Sequence, residues 1–229
     1  MTVSVFIQKV LRKWMKIRLQ PIRVFCLHHV CEQFDADAMY ACDWIALDEF
    51  KRKINEMRNQ GYHFIKLTEA YQYLKNDHIR RQKYAVLTFD DGYKSLHEVL
   101  PWLEQKHIPA TLFINGKYLD DVSYRENPNE RYLTKDELFA LTSPYIEIGH
   151  HGWEHTAADD MTNDELIQSL FKNEKILSTH PRYIPFWAYT WGRHTIENDK
   201  VLLENLIIPV RIEGNKNYKW IGTIDRENL

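Results

Sequence analysis

Short apolar runs alternate with longer segments of helical periodicity throughout the chain after Pro21. The runs are rich in Val, Ile, Phe and Tyr, which favours β-strands, and the segments between them repeat apolar residues every three or four positions, which favours helices. We therefore predict seven strands, over residues 23–28, 63–66, 84–89, 110–114, 145–149, 184–189 and 207–212. Strands that alternate with helices favour right-handed βαβ units and a mostly parallel sheet.

Several of the predicted helices carry terminal signals. A helical segment over residues 48–60 stops at Gly61, and glycine is common just after a helix. Another, over residues 101–106, begins with a proline, which suits the first position of a helix. Thr134 and Thr162 each precede a glutamate by three residues, the spacing of a capping box, and the second of these opens the longest predicted helix.

The length of the chain favours a single barrel domain. With 229 residues it matches the roughly 200–250 residues that one β/α barrel needs. The Gly-x-Gly-x-x-Gly fingerprint of dinucleotide-binding folds does not occur in the sequence. We therefore predict an α/β fold in which residues 23–229 form a closed or nearly closed β/α barrel.

Residues 1–22 are predicted to form a separate, basic amphipathic helix. Phe6, Val10 and Trp14 fall on one apolar stripe, and lysines and arginines occupy much of the remaining surface. Such a helix either packs against the barrel or lies on an anionic membrane surface, and the pattern leaves both alternatives open.

Composition excludes some partners and compartments. The net charge of −2 argues against a nucleic-acid partner. No apolar run is long enough for a membrane span, and the N-terminal segment lacks the pattern of a cleavable signal peptide. Cys26, Cys31 and Cys42, an odd number close together, do not form a disulfide framework. We expect a cytoplasmic protein, whose N-terminal helix is the segment that would contact the inner membrane face.

Two adjacent carboxylates follow the strand predicted over residues 84–89. Asp90 and Asp91 come at its C-terminal end, and Gly92 permits a tight turn after them. In a parallel β/α barrel the C-terminal strand ends form the active-site face. Adjacent residues there point different ways, so one carboxylate can bind a metal while the other handles a proton. Ordinary turn chemistry is the alternative interpretation of Asp-Asp-Gly.

A pair of histidines follows the strand predicted over residues 145–149. His151 and His155 are four residues apart, so one turn of the chain can bring both imidazoles to one ion, whereas His150 would face elsewhere. Histidines satisfied in the core or at the surface are the alternative. Two histidines and one aspartate leave coordination positions open, which is typical of a catalytic metal site.

A second group of ligand-type residues lies earlier in the chain, at Cys26, His28, His29 and Cys31. Alternate residues of a strand point to opposite faces, so these four do not converge on one structural zinc ion. We interpret the cysteines as small buried hydrophobic residues.

Taken together, these segments resemble the NodB-type polysaccharide deacetylases, carbohydrate esterase family 4. Residues 88–92, Thr-Phe-Asp-Asp-Gly, match the first motif of that family, and residues 151–155 resemble its second motif, His-Ser/Thr-x-x-His. Residues 187–192, Trp-Ala-Tyr-Thr-Trp-Gly, resemble a Phe-Ala-Tyr-Pro-Tyr-Gly variant of the third motif. The similarity extends over residues 23–212.

The resemblance implies a distorted (β/α)7 barrel of the NodB-homology type and a metal-dependent hydrolase. Its substrate would be the N-acetyl groups of an amino-sugar polysaccharide or of a lipid-linked or nucleotide-linked precursor. Zinc is the expected ion, with Co²⁺, Ni²⁺ or Fe²⁺ as alternatives. The resemblance assigns the metal ligands to Asp91, His151 and His155, the general base to Asp90 and the oxyanion donor to the backbone of Trp191.

Besides Gly152 in the second motif and Thr190 in the third, two departures from the family pattern affect the expected catalytic residues. Ala188 stands where many relatives have an arginine that orients the base, and no Leu-x-His near the last predicted strand supplies the usual general acid. The remaining candidates for the acid are His28, His29 and His194. We prefer His28, because it closes a strand and therefore faces the same rim of the barrel.

The missing acid leaves two alternative functions open. One is a catalytically impaired carbohydrate-binding relative, and the other is an acetyl-ester hydrolase, since an alkoxide leaving group depends less on an acid. In either case Trp187, Tyr189 and Trp191 could form an aromatic platform for sugar rings, with core packing as the alternative for Trp187.

Overall fold

A computed structural model describes residues 20–32, 44–76, 82–119 and 132–229. The helix predicted over residues 1–22 lies outside this part of the chain, apart from its last three positions. No helix within the described ranges is both long and apolar enough to span a membrane.

The strands agree closely with the apolar runs of the sequence. Eleven are present among the described residues: β1 (Ile22–Leu27), β2 (His29–Cys31), β3 (Trp44–Ala46), β4 (Tyr62–Phe64), β5 (Lys83–Phe89), β6 (Ala110–Ile114), β7 (Ile146–His150), β8 (Tyr183–Ala188), β9 (Ile208–Arg211), β10 (Ile224–Asp225) and β11 (Glu227–Asn228). The four not predicted, β2, β3, β10 and β11, have two or three residues each, which is too short for a periodic pattern.

The described residues form six α-helices: α1 (Leu47–Asn59), α2 (Leu67–Lys75), α3 (Leu96–Gln105), α4 (Lys135–Ala140), α5 (Asn163–Leu177) and α6 (Ile196–Glu204). Thr134 and Thr162 cap α4 and α5 with the predicted capping boxes. The start of α3 is wrong in the prediction, because Leu96, Val99 and Leu100 extend its buried stripe before the proline.

The main sheet is a nearly closed barrel of parallel strands. Its hydrogen-bonded order is β10-β9-β8-β7-β6-β5-β1-β11. The two ends of this order are separated in the chain by Arg226 alone, whose backbone N–H donates to Arg211 O at 2.9 Å. Residues 224–228 therefore act as one interrupted strand that lies between β9 and β1 and closes the barrel.

This closing strand occupies the seventh position of the barrel. The predicted strand over residues 63–66 instead forms β4, which pairs with the first residues of β5 and lies off the barrel path. The (β/α)7 architecture is confirmed, but its seventh strand comes from the C-terminal segment rather than from residues 63–66.

Both faces of the sheet are covered by apolar side chains. Phe25 and Leu87 pack in the hydrophobic cluster that includes helices α1 and α3, whereas Val24 and Val86 pack in a second cluster with helix α2. Successive residues of a strand point to opposite faces, so each strand contributes to both clusters.

A buried glutamate links helix α2 to the barrel. Glu147 on β7 accepts hydrogen bonds from Leu67 N at 2.9 Å and from Thr111 Oγ1 at 3.2 Å, and Thr68 also donates to it. Burial raises the pKa of this carboxyl group above its usual value, although these donors oppose the shift. Glu147 therefore holds the first turn of α2 against β6 and β7.

Candidate active site

The chain turns sharply at the C-terminal end of β5. Asp90 N still donates to Leu27 O at 2.8 Å, but Asp91 and Gly92 have φ angles of 70° and 76°, in the left-handed region. Asp adopts this region more readily than most residues, and a Cβ at Gly92 would lie only 2.7 Å from the Ile114 side chain. Because of this turn, two consecutive carboxylates point in different directions, and both are buried.

Asp91 faces the two histidines that follow β7. Its Oδ1 lies 3.2 Å from His151 Nε2 and 3.0 Å from His155 Nε2. The ligand-type atoms of these three residues all lie within 4.8 Å of one another. The sequence-predicted ligand set is therefore brought together at one point on the C-terminal rim.

Backbone contacts fix the orientation of His151. Its Nδ1 lies 2.9 Å from Ala188 O, which leaves Nε2 to face Asp91. The His151 carbonyl accepts hydrogen bonds from Asn115 Nδ2 at 2.5 Å and from Thr190 Oγ1 at 3.1 Å. A ring held at Nδ1 by a backbone carbonyl is the usual arrangement of a metal-ligating histidine.

The three side chains fit a divalent ion. Asp91 Oδ1 is buried and makes no hydrogen bond within the described part of the chain. Nitrogen and oxygen ligands of tetrahedral zinc stand about 3.3 Å from one another, close to the distances found here. Burial opposes ionisation of Asp91, but the two imidazoles outweigh it and hold the pKa of this carboxyl well below its usual value. A cation would satisfy the unbonded oxygen.

The neighbouring carboxylate, Asp90, is paired with an arginine. Arg226 Nη1 donates to Asp90 Oδ1 at 2.5 Å and Nη2 donates to Asp90 Oδ2 at 2.8 Å, and Nη1 also reaches Thr88 Oγ1 at 3.0 Å. Arg226 is 0% exposed and Asp90 is 1% exposed, so the pair is inside the barrel. Two parallel bonds hold the carboxylate in one plane.

The electrostatics of this pair keep Asp90 ionised. Burial opposes ionisation, but the guanidinium of Arg226, helped by His151, outweighs it and lowers the pKa of Asp90 below its usual value. Asp90 Oδ2 lies 3.9 Å from His151 Nε2, beside the three-ligand cluster but not part of it. A carboxylate that is ionised, oriented and next to a metal site can accept a proton there.

Cys26 and His28 approach Asp90 from the end of β1. One ligand-type atom of each lies within 4.8 Å of the other and of an Asp90 oxygen. Cys26 Sγ donates to Asp90 Oδ2 at 3.5 Å, and burial raises the pKa of this thiol well above its usual value. His29 faces the other way, stacked between Trp44 and Tyr93 at ring distances of 4.3 and 3.8 Å.

The aromatic residues after β8 divide between surface and core. Trp191 is 56% exposed, and its ring centroid lies 4.8 Å from that of His155. Trp187 and Tyr189 are buried, and both pack in one hydrophobic cluster with helices α5 and α6. Their rings are therefore not available to stack on a sugar, because the helix layer covers that face of β8, and Trp191 is left as the exposed ring of the three.

A model of the polysaccharide deacetylase family matches residues 77–204, more than half of the chain. The chain belongs to the polysaccharide deacetylase family. The matched segment contains Asp90 and all three residues of the cluster, Asp91, His151 and His155.

Among relatives in this family, YxkH of Bacillus subtilis (strain 168) is 23% identical over 154 residues, which cover 66% of this chain and 52% of YxkH. The peptidoglycan-N-acetylglucosamine deacetylase PgdA of Listeria monocytogenes is 29% identical over 108 residues, which cover 46% of this chain and 21% of PgdA. The chain thus matches about half of one relative and a fifth of the other.

The solved structure of IcaB from Ammonifex degensii has a similar fold. It superimposes with a TM-score of 0.76 at 18% identity and covers 92% of both chains. The barrel fold that this chain shares with IcaB therefore accounts for nearly the whole of the chain.

Arg226 is the site residue that the sequence did not reveal. It lies between two strands of two residues each, where no periodic pattern exists. Position 188 is an alanine where the family pattern has an arginine, and this difference is the one sequence signal that could have suggested another cation facing Asp90. His150, by contrast, lies away from the cluster, with its Nε2 2.9 Å from the Tyr183 hydroxyl.

Proposed function

We propose that this member of the polysaccharide deacetylase family hydrolyses N-acetyl groups on an amino sugar, within a polysaccharide or a lipid-linked or nucleotide-linked precursor. The observation that carries the proposal is an oriented, ionised Asp90 beside the cluster of Asp91, His151 and His155. A divalent ion held by that cluster, for which zinc is the best match, would polarise the acetyl carbonyl and make water a better nucleophile.

Asp90 is the general base in this proposal. It takes the proton of the attacking water, and its ion pair with Arg226 keeps the carboxylate in its proton-accepting form. Arg226 takes the place of the arginine that many relatives have at the position of Ala188. It reaches the base from the closing strand instead of from β8.

The turn after β8 would stabilise the negative charge that develops on the acetyl oxygen. Trp191 has a φ of 58°, a left-handed conformation that costs a non-glycine residue energy and is often found at functional sites. This conformation sets the direction of the Trp191 backbone N–H, and the indole ring of the same residue lies beside the ring of His155. We assign the oxyanion donor to this N–H group.

His28 is the proposed general acid. The leaving nitrogen of an amide needs a proton, and His28 lies at the rim within reach of Asp90. The other two candidates have different contacts. His29 is buried between two aromatic rings, and His194 stacks on Tyr189 at 4.8 Å with its Nδ1 2.9 Å from Gly192 O.

Substrate recognition would use the exposed ring of Trp191. The C–H face of a hexose packs on an indole, and this ring lies beside the metal cluster. PgdA, which its name describes as acting on the N-acetylglucosamine of peptidoglycan, supports an N-acetylated hexosamine as the reacting sugar.

The deciding experiment measures acetate release from N-acetylglucosamine oligomers and from an aryl acetate, with zinc added and after chelation. We expect zinc-dependent release from the oligomers, and Asp90→Asn should abolish it with the ion still bound. Release from the ester alone would favour an O-acetyl hydrolase. Sugar binding without release from either substrate would favour a carbohydrate-binding protein.

The role of His28 is tested by comparing the two substrates. An aryl oxide leaves without a proton donor, so His28→Gln should reduce hydrolysis of the oligomer by about 10²-fold or more and hydrolysis of the aryl acetate much less. His194→Gln is the matched control and should affect both substrates equally. Equal losses on both substrates in His28→Gln would remove His28 from the role of acid.

A further inference from the structure

Cys26, His28 and Asp90 form a second group of potential metal ligands beside the first. The thiol sulfur, an imidazole nitrogen and a carboxylate oxygen lie within 4.8 Å of one another. Cys26 and Asp90 are buried and His28 is partly buried, so the group stands where the rim opens. It shares no residue with the cluster of Asp91, His151 and His155.

The backbone explains why only part of the Cys-x-His-His-x-Cys segment converges. Cys26 and His28 are two residues apart at the end of β1, so their side chains share one face. His29 and Cys31 belong to β2, and His29 packs on the opposite side against Trp44 and Tyr93. His29 therefore does not converge with Cys26 and His28, and these two residues meet Asp90 instead.

The spacing within this group suits a tetrahedral ion. Cys26 Sγ and Asp90 Oδ2 are 3.5 Å apart. For a zinc–sulfur distance of about 2.3 Å and a zinc–oxygen distance of about 2.0 Å, tetrahedral geometry separates the two ligand atoms by about 3.5 Å. A thiolate, an imidazole and a carboxylate also form a donor set that zinc prefers over harder cations such as Mg²⁺.

We propose that a second zinc ion binds to Cys26, His28 and Asp90 and inhibits the enzyme, an inference that rests on the proposed roles of Asp90 and His28. On binding, the Cys26 S–H bond breaks, the proton passes to solvent and the sulfur bonds to the ion. The ion then binds the Asp90 oxygen that would accept a proton. It also binds the His28 nitrogen that would donate one.

Charge sets the order in which the two sites fill. The guanidinium of Arg226 bonds to both oxygens of Asp90 and repels a cation at the second site. Each carboxylate oxygen has two lone pairs, so Asp90 can keep these bonds and still bind an ion. Asp91 instead faces two imidazoles, which become neutral when they bind a metal, whereas a guanidinium stays charged. The first equivalent of metal therefore activates, and inhibition requires an excess.

The test titrates the metal-free full chain with Co²⁺ as a spectroscopic probe and, in parallel, with Zn²⁺ while acetate release is followed. The first equivalent of metal should activate acetate release without a cobalt–thiolate absorption band. The second equivalent should produce a near-ultraviolet thiolate-to-cobalt charge-transfer band with Co²⁺ and reduce turnover by about 10²-fold with Zn²⁺. In Cys26→Ser the band should be absent and the excess should no longer inhibit. Cys31→Ala removes a buried thiol from the other face and should behave as the unchanged protein.

The outcomes separate this inference from the proposed function. No sulfur band at any excess, a band that persists in Cys26→Ser, or a band without loss of turnover would each overturn the second site. If one equivalent of metal gives no acetate release, the proposed function itself fails, whatever the second equivalent does. Activity with one equivalent but no sulfur band overturns the second site alone.

Discussion

Arg226→Met tests whether the closing strand orients Asp90, the proposed base. Methionine keeps the backbone bond to Arg211 O and fills much of the same volume, but it removes the two hydrogen bonds to Asp90 and the one to Thr88. The buried carboxylate would then have neither its counter-charge nor its fixed plane. Both the stability of the fold and the rate of turnover should fall.

The magnitude follows from the burial of the pair. Removing one partner of a buried ion pair costs about 3–5 kcal/mol, because the other charge stays in a low-dielectric interior. Arg226 and Asp90 are 0% and 1% exposed, so little solvent screens this cost. A domain with a typical unfolding free energy of about 5–15 kcal/mol should still fold at low temperature.

A double-mutant cycle read by urea unfolding separates the ion pair from simple packing loss. The double variant Asp90→Asn/Arg226→Met has lost both charges of the pair, so no unpaired charge stays buried. We expect its free energy of unfolding to exceed that of Arg226→Met alone by at least about 1–2 kcal/mol. Arg226→Lys keeps the positive charge but loses the bidentate hydrogen bonding to Asp90. Its turnover rate should lie between those of the wild type and of Arg226→Met. The reasoning would be refuted if the two single substitutions changed the free energy of unfolding additively, or if Arg226→Met kept full turnover.

Three further predictions concern other parts of the barrel. Glu147→Ala leaves the donors at the start of α2 unpaired and should lower the unfolding free energy by about 2–4 kcal/mol, measured by urea denaturation. His151→Ala should lose the bound metal, as measured by elemental analysis. His150→Ala should keep the metal, because His150 contacts Tyr183 instead, and metal retained in both variants would contradict the proposed site. Trp191→Asn keeps a residue that tolerates the left-handed turn and should raise KM for the oligomers up to about tenfold, while an unchanged KM would exclude stacking on this ring.

The elements that could be predicted are those with local patterns. Strands β5 to β9 and the capped helices α4 and α5 have apolar runs or capping residues of their own, so their positions follow from neighbouring residues. Asp91, His151 and His155 were also within reach of the sequence. They directly follow two strands, and the C-terminal ends of parallel strands meet on one rim.

The β/α alternation, the family and the three residues of the candidate metal cluster therefore follow from local sequence patterns. The groups that contact Asp90, by contrast, are set by the three-dimensional fold. Arg226 is separated from Asp90 by 136 positions in the chain, and Cys26 by 64, so no local pattern relates them. Closure of the barrel by residues 224–228 brings the guanidinium to Asp90, and the same buried geometry sets the pKa of Asp90 and places Cys26 and His28 beside it. Such contacts depend on which strands pair, and pairing is a property of the whole barrel.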